Sequence, residues 1–343
     1  MKDVARECGV HQTTVSLALR KHPSIPPHTR ERIKAVADRM GYRPNPLVSA
    51  LISERKKNKP VGDGSTLAFL THYPTANGWQ HAENYVLLRR MMEQRASRLG
   101  YKIEDFWIRE KGMTPQRMGQ ILRSRGIRGI ILCPFPKSEF HFDFDFSDFA
   151  AIAIGLTLVE PRLDRATIDY AALMQQCIDQ LLLSGYSRIG FVSNTVMDNR
   201  VRHLSLGAFQ AARYHQPGKF LNPVLFKQPH DSQFAKWVDS KRPDVLITSN
   251  TPEYHAFKKL LQAMEPENHP PEIVSVDSRP DLHAEPGMVH GMVQDMEALA
   301  EAAIDFLTSR VERGMTGIPP RPQAITIAGQ WRQGNLPRTA KVR

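Results

Sequence analysis

Asp3-Val4-Ala5-Arg6-Glu7-Cys8-Gly9-Val10-His11-Gln12-Thr13-Thr14-Val15-Ser16-Leu17-Ala18-Leu19 decides how the chain begins. Val4, Ala5, Cys8 and Val10 are apolar at helical spacing, and Gly9 stops that run. A second run follows at once. Val15, Ala18 and Leu19 turn inward, and Gln12, Thr13, Ser16 and Leu17 turn outward. Two short helices parted only by the residues around Gly9-Val10-His11 make a helix-turn-helix. Pro26-Pro27 opens a third helix over 28–40, with Ile33, Val36, Ala37 and Met40 as its apolar face, and Gly41 closes it. A unit this small buries little, which argues against a purely structural role. The outward polar side chains Gln12, Thr13, Thr14 and Ser16 fit a helix that reaches base edges in a major groove. The plainer alternative is a solvated helix face.

Charge favours the first reading. Residues 1–60 hold 13 Lys and Arg against 5 Asp and Glu, so that +8 of the net charge of +11 sits in the head. A domain that meets phosphate looks like this. A disordered basic tail would not carry such apolar periodicity. After Gly41 come Tyr42-Arg43-Pro44-Asn45-Pro46 and then Leu47-Val48-Ser49-Ala50-Leu51-Ile52-Ser53. The second piece is about two helical turns, marginal alone and ordered only against a partner such as DNA and a second copy of itself. A basic run and Gly62-Asp63-Gly64-Ser65 then read as a flexible linker. The expected divisions are a helix-turn-helix domain over 1–44, a hinge helix and linker over 45–64, and a two-lobed effector-binding and dimerisation domain over 65–343.

At 343 residues the chain is too long for one core. No run of 18 apolar residues exists, and the first residues lack an apolar signal core, so we expect a cytoplasmic protein with no membrane segment. Cys8, Cys133 and Cys177 lie far apart and read as reduced core thiols. From Thr66 the sequence alternates strand-like and helical runs. Strands are expected at 66–71, 101–108, 129–133, 151–155, 188–192, 223–226, 244–248 and 273–277, with helices at 85–99, 115–125 and 171–183. Such alternation means doubly wound parallel sheets, and a chain of this length makes two of them with a cleft between. Residues at strand ends line such a cleft: His72 and Tyr73, then Pro134 and Phe135, then Asn250 and Asp277. Catalytic signatures are missing: there is no Gly-x-Ser-x-Gly, phosphate loop, Gly-x-Gly-x-x-Gly or Cys-x-x-Cys. We expect no enzyme, cofactor or metal. His141-Phe142-Asp143-Phe144-Asp145-Phe146 looks metal-like, but its strict alternation says a strand or extended edge with three Phe on one side. Trp79, Trp107, Trp237 and Trp331 read as core or cleft walls.

Asp3-Val4-Ala5, Gly9-Val10, Thr13-Thr14-Val15-Ser16, Thr29-Arg30-Glu31-Arg32-Ile33 and Gly41-Tyr42-Arg43-Pro44-Asn45-Pro46-Leu47 resemble the head of the LacI/GalR family of bacterial transcription regulators. Gly129-Ile130-Ile131-Leu132 and Ser184-Gly185-Tyr186-Ser187-Arg188-Ile189-Gly190-Phe191-Val192 are similar to its effector domain, which is built like a periplasmic binding protein. The resemblance implies base and phosphate contacts from Lys2, Gln12, Thr13, Thr14, Ser16, Leu17, Arg20, Tyr42 and Asn45. It also implies a hinge Leu51 wedged into the minor groove. The implied partners are a pseudo-palindromic double-stranded operator, a second copy of the chain and a small-molecule effector, most simply a sugar. Asp277 matches the family's strand-end acid, which suits ligand hydroxyls. Departures are His11 and Pro26 in place of capping Ser, which weaken the caps, and Leu17 and Ser49 in place of polar or basic readers. In the body, Ser205 stands for an Arg, with Arg200 and Arg202 just before it, and Asn250-Thr251 stands for Asn-Asp. We therefore name Arg202 as a ligand residue and expect a neutral, hydroxyl-rich ligand. The alternative class is a solute-binding protein or sugar-processing enzyme with an incidental basic head.

Overall fold

The computed structural model describes residues 2–19, 25–41, 66–227, 231–263, 270–278 and 290–332. Among its described residues the head has three helices: α1 (Lys2–Glu7), α2 (Gln12–Leu19) and α3 (Pro27–Arg39). α1 stops where Gly9 takes a left-handed φ of 59°. The amides of Gly9 and Val10 then turn back onto the carbonyls of Arg6 and Ala5. Val4, Ala5, Cys8, Val15, Ala18, Ile33 and Ala37 form the core. Met40 departs from the expected apolar face. It is 44% exposed, because it lies beyond the last residue of α3 where helical spacing no longer aims it inward. His11 departs too: its Nδ1 accepts the Thr13 amide at 3.4 Å and lies 2.8 Å from the Thr13 hydroxyl, so the imidazole caps α2 in place of a serine. Pro26 gives α3 no side-chain cap, as expected. Arg39 reaches Glu7 at 2.9 Å and ties α3 to α1.

The body begins with β1 (Thr66–Thr71), α4 (Glu83–Arg98), β2 (Lys102–Trp107), α5 (Pro115–Ser124) and β3 (Gly129–Leu132). β4 (Phe140–His141), β5 (Ala150–Ile154), β6 (Leu158–Glu160) and β7 (Asp164–Ile168) follow. The second lobe runs through α6 (Tyr170–Leu183), β8 (Ile189–Asn194), α7 (Thr195–Arg200), α8 (Leu204–His215), β9 (Val224–Phe226) and α9 (Asp231–Lys241). It continues with β10 (Val245–Thr248), α10 (Thr251–Ala263), β11 (Glu272–Ser278) and β12 (Gly291–Gln294). α11 (Met296–Glu312) and β13 (Ala324–Ile327) return to the first lobe, and β14 (Gly329–Arg332) to the second.

The first sheet has the order β13-β7-β5-β3-β1-β2 and is parallel throughout. The second has the order β14-β12-β11-β10-β8-β9, with only β14 antiparallel. This is the expected pair of doubly wound sheets. The central strands β1, β3, β5, β8 and β10 are almost wholly buried, as parallel strands covered on both faces must be. One apolar core runs from Leu67, Met92 and Ile152 through Leu173 and Met296 to Phe191, Val245 and Val274.

The chain crosses between lobes at 168–170, 294–296 and 327–329. Asp169 and Asp295 mark the first two crossings by the same device. Each carboxylate accepts an amide of the helix it opens, Ala172 at 2.9 Å and Ala298 at 2.8 Å. The Asp169 amide donates to the Ile327 carbonyl at 2.9 Å, which joins the first crossing to the third. Phe142, Phe144 and Phe146 are buried while His141, Asp143 and Asp145 are exposed, the expected one-sided alternation. Only Phe140–His141 pairs as strand, with β6. Among the described residues no group of three or more His, Cys, Asp or Glu could hold a metal, and no helix is long and apolar enough to cross a membrane. The three cysteines are free and buried.

Candidate functional site

Two places concentrate chemistry. The first is the outer side of α2. Val15 and Ala18 are buried against the head core, which leaves Thr13 exposed and Gln12, Thr14, Ser16 and Leu17 half-exposed on the remaining faces. Lys2 is exposed at the start of α1. These are six of the residues read from sequence as DNA contacts. Arg20, Tyr42, Asn45 and Leu51 lie outside the described residues.

The second is a cleft of about 890 Å³ between the lobes. Strand ends build it, as open α/β sheets require. Tyr73 follows β1, Pro134 and Pro136 follow β3, Asn250 follows β10, and Asp277 lies on β11. Thr251 donates to the Asp277 carbonyl oxygen at 2.7 Å, and the Asp277 amide donates to Ser275 Oγ at 3.1 Å, which fixes the strand end. Asn250 caps α10: its Oδ1 accepts the Glu253 amide at 2.9 Å. That leaves its amide nitrogen as the group for a ligand.

Three of the residues named from sequence as ligand contacts do not line the cleft. His72 packs beside the rings of Phe135, Phe140 and Phe142, with centroids 5.9, 4.6 and 6.3 Å away. Desolvation there holds its imidazole below the ordinary value of 6.5. Phe135 is itself buried in that ring cluster. Arg202 has φ 55° and points to solvent. The left-handed residues Arg202 and His203 break the helical phase after α7, so counting one turn back from Ser205 selects the wrong arginine.

The arginine of the cleft is Arg200. From the second lobe it reaches across to the first. Its Nη1 donates to the Phe135 and Pro136 carbonyls at 2.9 Å each, and its Nη2 donates to the Tyr85 hydroxyl at 2.8 Å. Tyr73, Tyr85 and Tyr170 all line the cleft. Burial pushes the Tyr73 hydroxyl well above its ordinary value, so it stays protonated and can donate.

Glu253 was also missed. It is 5% exposed and lines the second lobe's side of the cleft. Its Oε1 accepts from the Asn194 amide at 3.0 Å, from Asn194 Nδ2 at 2.7 Å and from Ser193 Oγ at 3.3 Å. Its Oε2 accepts the Ser249 amide at 3.2 Å. Desolvation raises its carboxyl all the same. The Asn250-x-x-Glu253 spacing at a helix start was a signal that could have found it. Asn194, which caps α7 directly after β8, was the comparable signal for Arg200.

A helix-turn-helix head on a two-lobed body, built like a periplasmic binding protein, is the class these features define. Residues 1–45 match the model of the bacterial regulatory proteins, lacI family. Catabolite control protein A of Priestia megaterium is 26% identical over 200 residues, covering 57% of this chain and 54% of that protein. The chain thus spans about half the length of that relative. The HTH-type transcriptional regulator TreR of Escherichia coli is 26% identical over 300 residues, covering 81% and 87%. Among solved structures, the Lac repressor dimer bound to operator and the anti-inducer ONPF matches with TM-score 0.56 at 13% identity, over 97% of each chain. The transcriptional regulator CelR with cellobiose matches with TM-score 0.55 at 18% identity, over 96% and 97%. These two show the fold. The match of residues 1–45 bears out the resemblance read from the head, and these two structures bear out the fold expected of the body.

Proposed function

We propose that the protein is a sequence-specific DNA-binding transcription regulator, a repressor, whose hold on its operator is controlled by a small hydroxyl-bearing ligand of the sugar class in the inter-lobe cleft. The observation that carries this reading is the joining of the two sites in one chain: α2 with its polar outer side, and a cleft built from the strand ends of two sheets. Gln12, Thr13, Thr14, Ser16 and Leu17 read bases, with Arg20 at the end of the same segment. Lys2, Tyr42 and Asn45 hold phosphates, and Leu51 wedges a central step. Tyr73, Asn250 and Asp277 meet the ligand, the carboxylate accepting hydroxyls. Two copies read a pseudo-palindrome, because one helix contacts only a few base pairs. Operator DNA and cellobiose, bound in two structures of similar fold, support both halves.

Selection of the full chain on random duplexes tests it. Enrichment of a two-fold symmetric site is the expected result. Recovery of no sequence preference, with binding that only tracks DNA charge, overturns it.

A further inference from the structure

Arg200 is a half-buried cation in the cleft whose hydrogen-bond partners are all neutral: two backbone carbonyls and the phenol oxygens of Tyr85 and Tyr73. Elsewhere the body treats such groups differently. Arg89 holds Asp105 at 2.8 Å, and Arg310 holds Asp164 at 2.7 Å. Arg95 gives Asp305 its Nε and Nη2 together, at 2.7 and 2.6 Å, the two-pronged geometry that fits a carboxylate. Arg165 also has only carbonyl partners, but it does not line the cleft. The acids beside Arg200's cleft do not neutralise it. Glu253 spends both oxygens on Asn194, Ser193 and Ser249, and among the described residues no acid pairs with Arg200. Nη1 and one Nη2 hydrogen are committed across the lobes. The Tyr73 hydroxyl on the cleft wall also bonds this guanidinium, so a cation ringed by phenols and carbonyls faces the cleft without a counter-charge among the described residues.

The geometry points to a ligand that carries an acidic group at one end and hydroxyls at the other: we propose that Arg200 receives a carboxylate or phosphate, while Asn250 and Asp277 take the hydroxyls. This rests on the cleft being a ligand site, as proposed above. It departs from the expectation of a neutral ligand, which followed from reading Ser205 as the loss of the cleft's cation. Ser205 does line the cleft, but Arg200 supplies the positive charge from the preceding helix.

Calorimetric titration of the full chain, without DNA, with matched sets tests this: glucose, gluconate and glucose 6-phosphate, and galactose, galacturonate and galactose 1-phosphate. The acid members separate a carboxylate from a phosphate preference. In at least one set the acid should bind about ten-fold or more tightly than its neutral parent, as a charge-assisted pair implies. Arg200→Gln should erase that advantage, read as the ratio of acid to neutral affinity within each set. Anion binding at the basic head would be equal in both proteins and cancels in the comparison. Should Arg200→Gln fail to fold, Arg200→Lys serves: it keeps the charge, loses the two-pronged geometry, and should lose most of the preference. Neutral sugars binding as well as or better than their acids, or a preference that survives both substitutions, overturns the inference and leaves the cleft's role intact. Binding of no member, acid or neutral, overturns the ligand reading of the cleft itself.

Discussion

Asp164 shows what one side chain can hold in this fold. It opens β7, is almost wholly buried, and accepts from Arg310 of α11 at 2.7 Å and from the Gln323 amide at 2.7 Å. Removing one partner of a buried pair strands the other, so Asp164→Ala should cost about 3–5 kcal/mol in chemical denaturation. A loss under 1 kcal/mol would show the pair to be idle. His72 gives a pH prediction. Its folded value is depressed by burial among rings, so the unfolded chain takes up the proton first as pH falls. The stability it supports is full above the ordinary value of 6.5 and is lost as pH drops through the depressed one. Melting measured from pH 8 down to 5 should fall less steeply for His72→Phe than for the parent, and equal slopes would refute this. Gly291 is a third case. Its φ is 138°, and a Cβ there would sit 1.8 Å from the Ser275 carbonyl oxygen. Gly291→Ala should therefore cost about 4 kcal/mol or more, visible as loss of folded protein in circular dichroism.

At the scale of elements, α2 carries the clearest forecast. Leu17 stands half-exposed on it, without a hydrogen-bonding group for a base. Leu17→Arg should shift the half-site recovered in duplex selection toward guanine, to which Arg bonds through two groups. Lys2→Ala should lower affinity on all sequences alike. An unchanged selected site after the Leu17 substitution would place α2 in a different register on DNA. Most of these elements were legible beforehand, because apolar runs with 3.6 or unbroken spacing leave one reading. β1 and α6 fall within a residue of where their apolar runs put them. Beyond residue 183, where no helix was expected, the elements were harder to read. α11 is rich in alanine and buries several of its faces at once, so it lacks a clear stripe. β13 alternates exposed and half-buried residues, which is a weak signal for a strand. The cleft was legible where it follows strand ends, at Tyr73, Asn250 and Asp277. It was illegible at Arg200, because the reversal of φ at Arg202 and His203 cannot be counted from sequence.

For the molecule as a whole, the basic head predicts the conditions of binding. If each copy meets several phosphates, duplex affinity should fall about 10³-fold or more between 50 and 200 mM salt. A flat dependence would sink the phosphate-facing reading of the head. Light scattering should find a dimer, with two copies per selected site. Bound monomers would contradict the pseudo-palindrome.

The three crossings between lobes also bear on how the chain is made. β7 waits for its neighbour β13, which lies some 160 residues later in the sequence, and α11 reaches the first lobe only after nearly all of the second has been written. During synthesis the growing chain thus carries an unpaired sheet edge and an uncovered apolar face until the last strands leave the ribosome. Premature termination before residue 320 would leave both lobes unfinished, β7 without β13 and β12 without β14. Such products should be recovered as aggregates or degraded fragments, not as a smaller working protein.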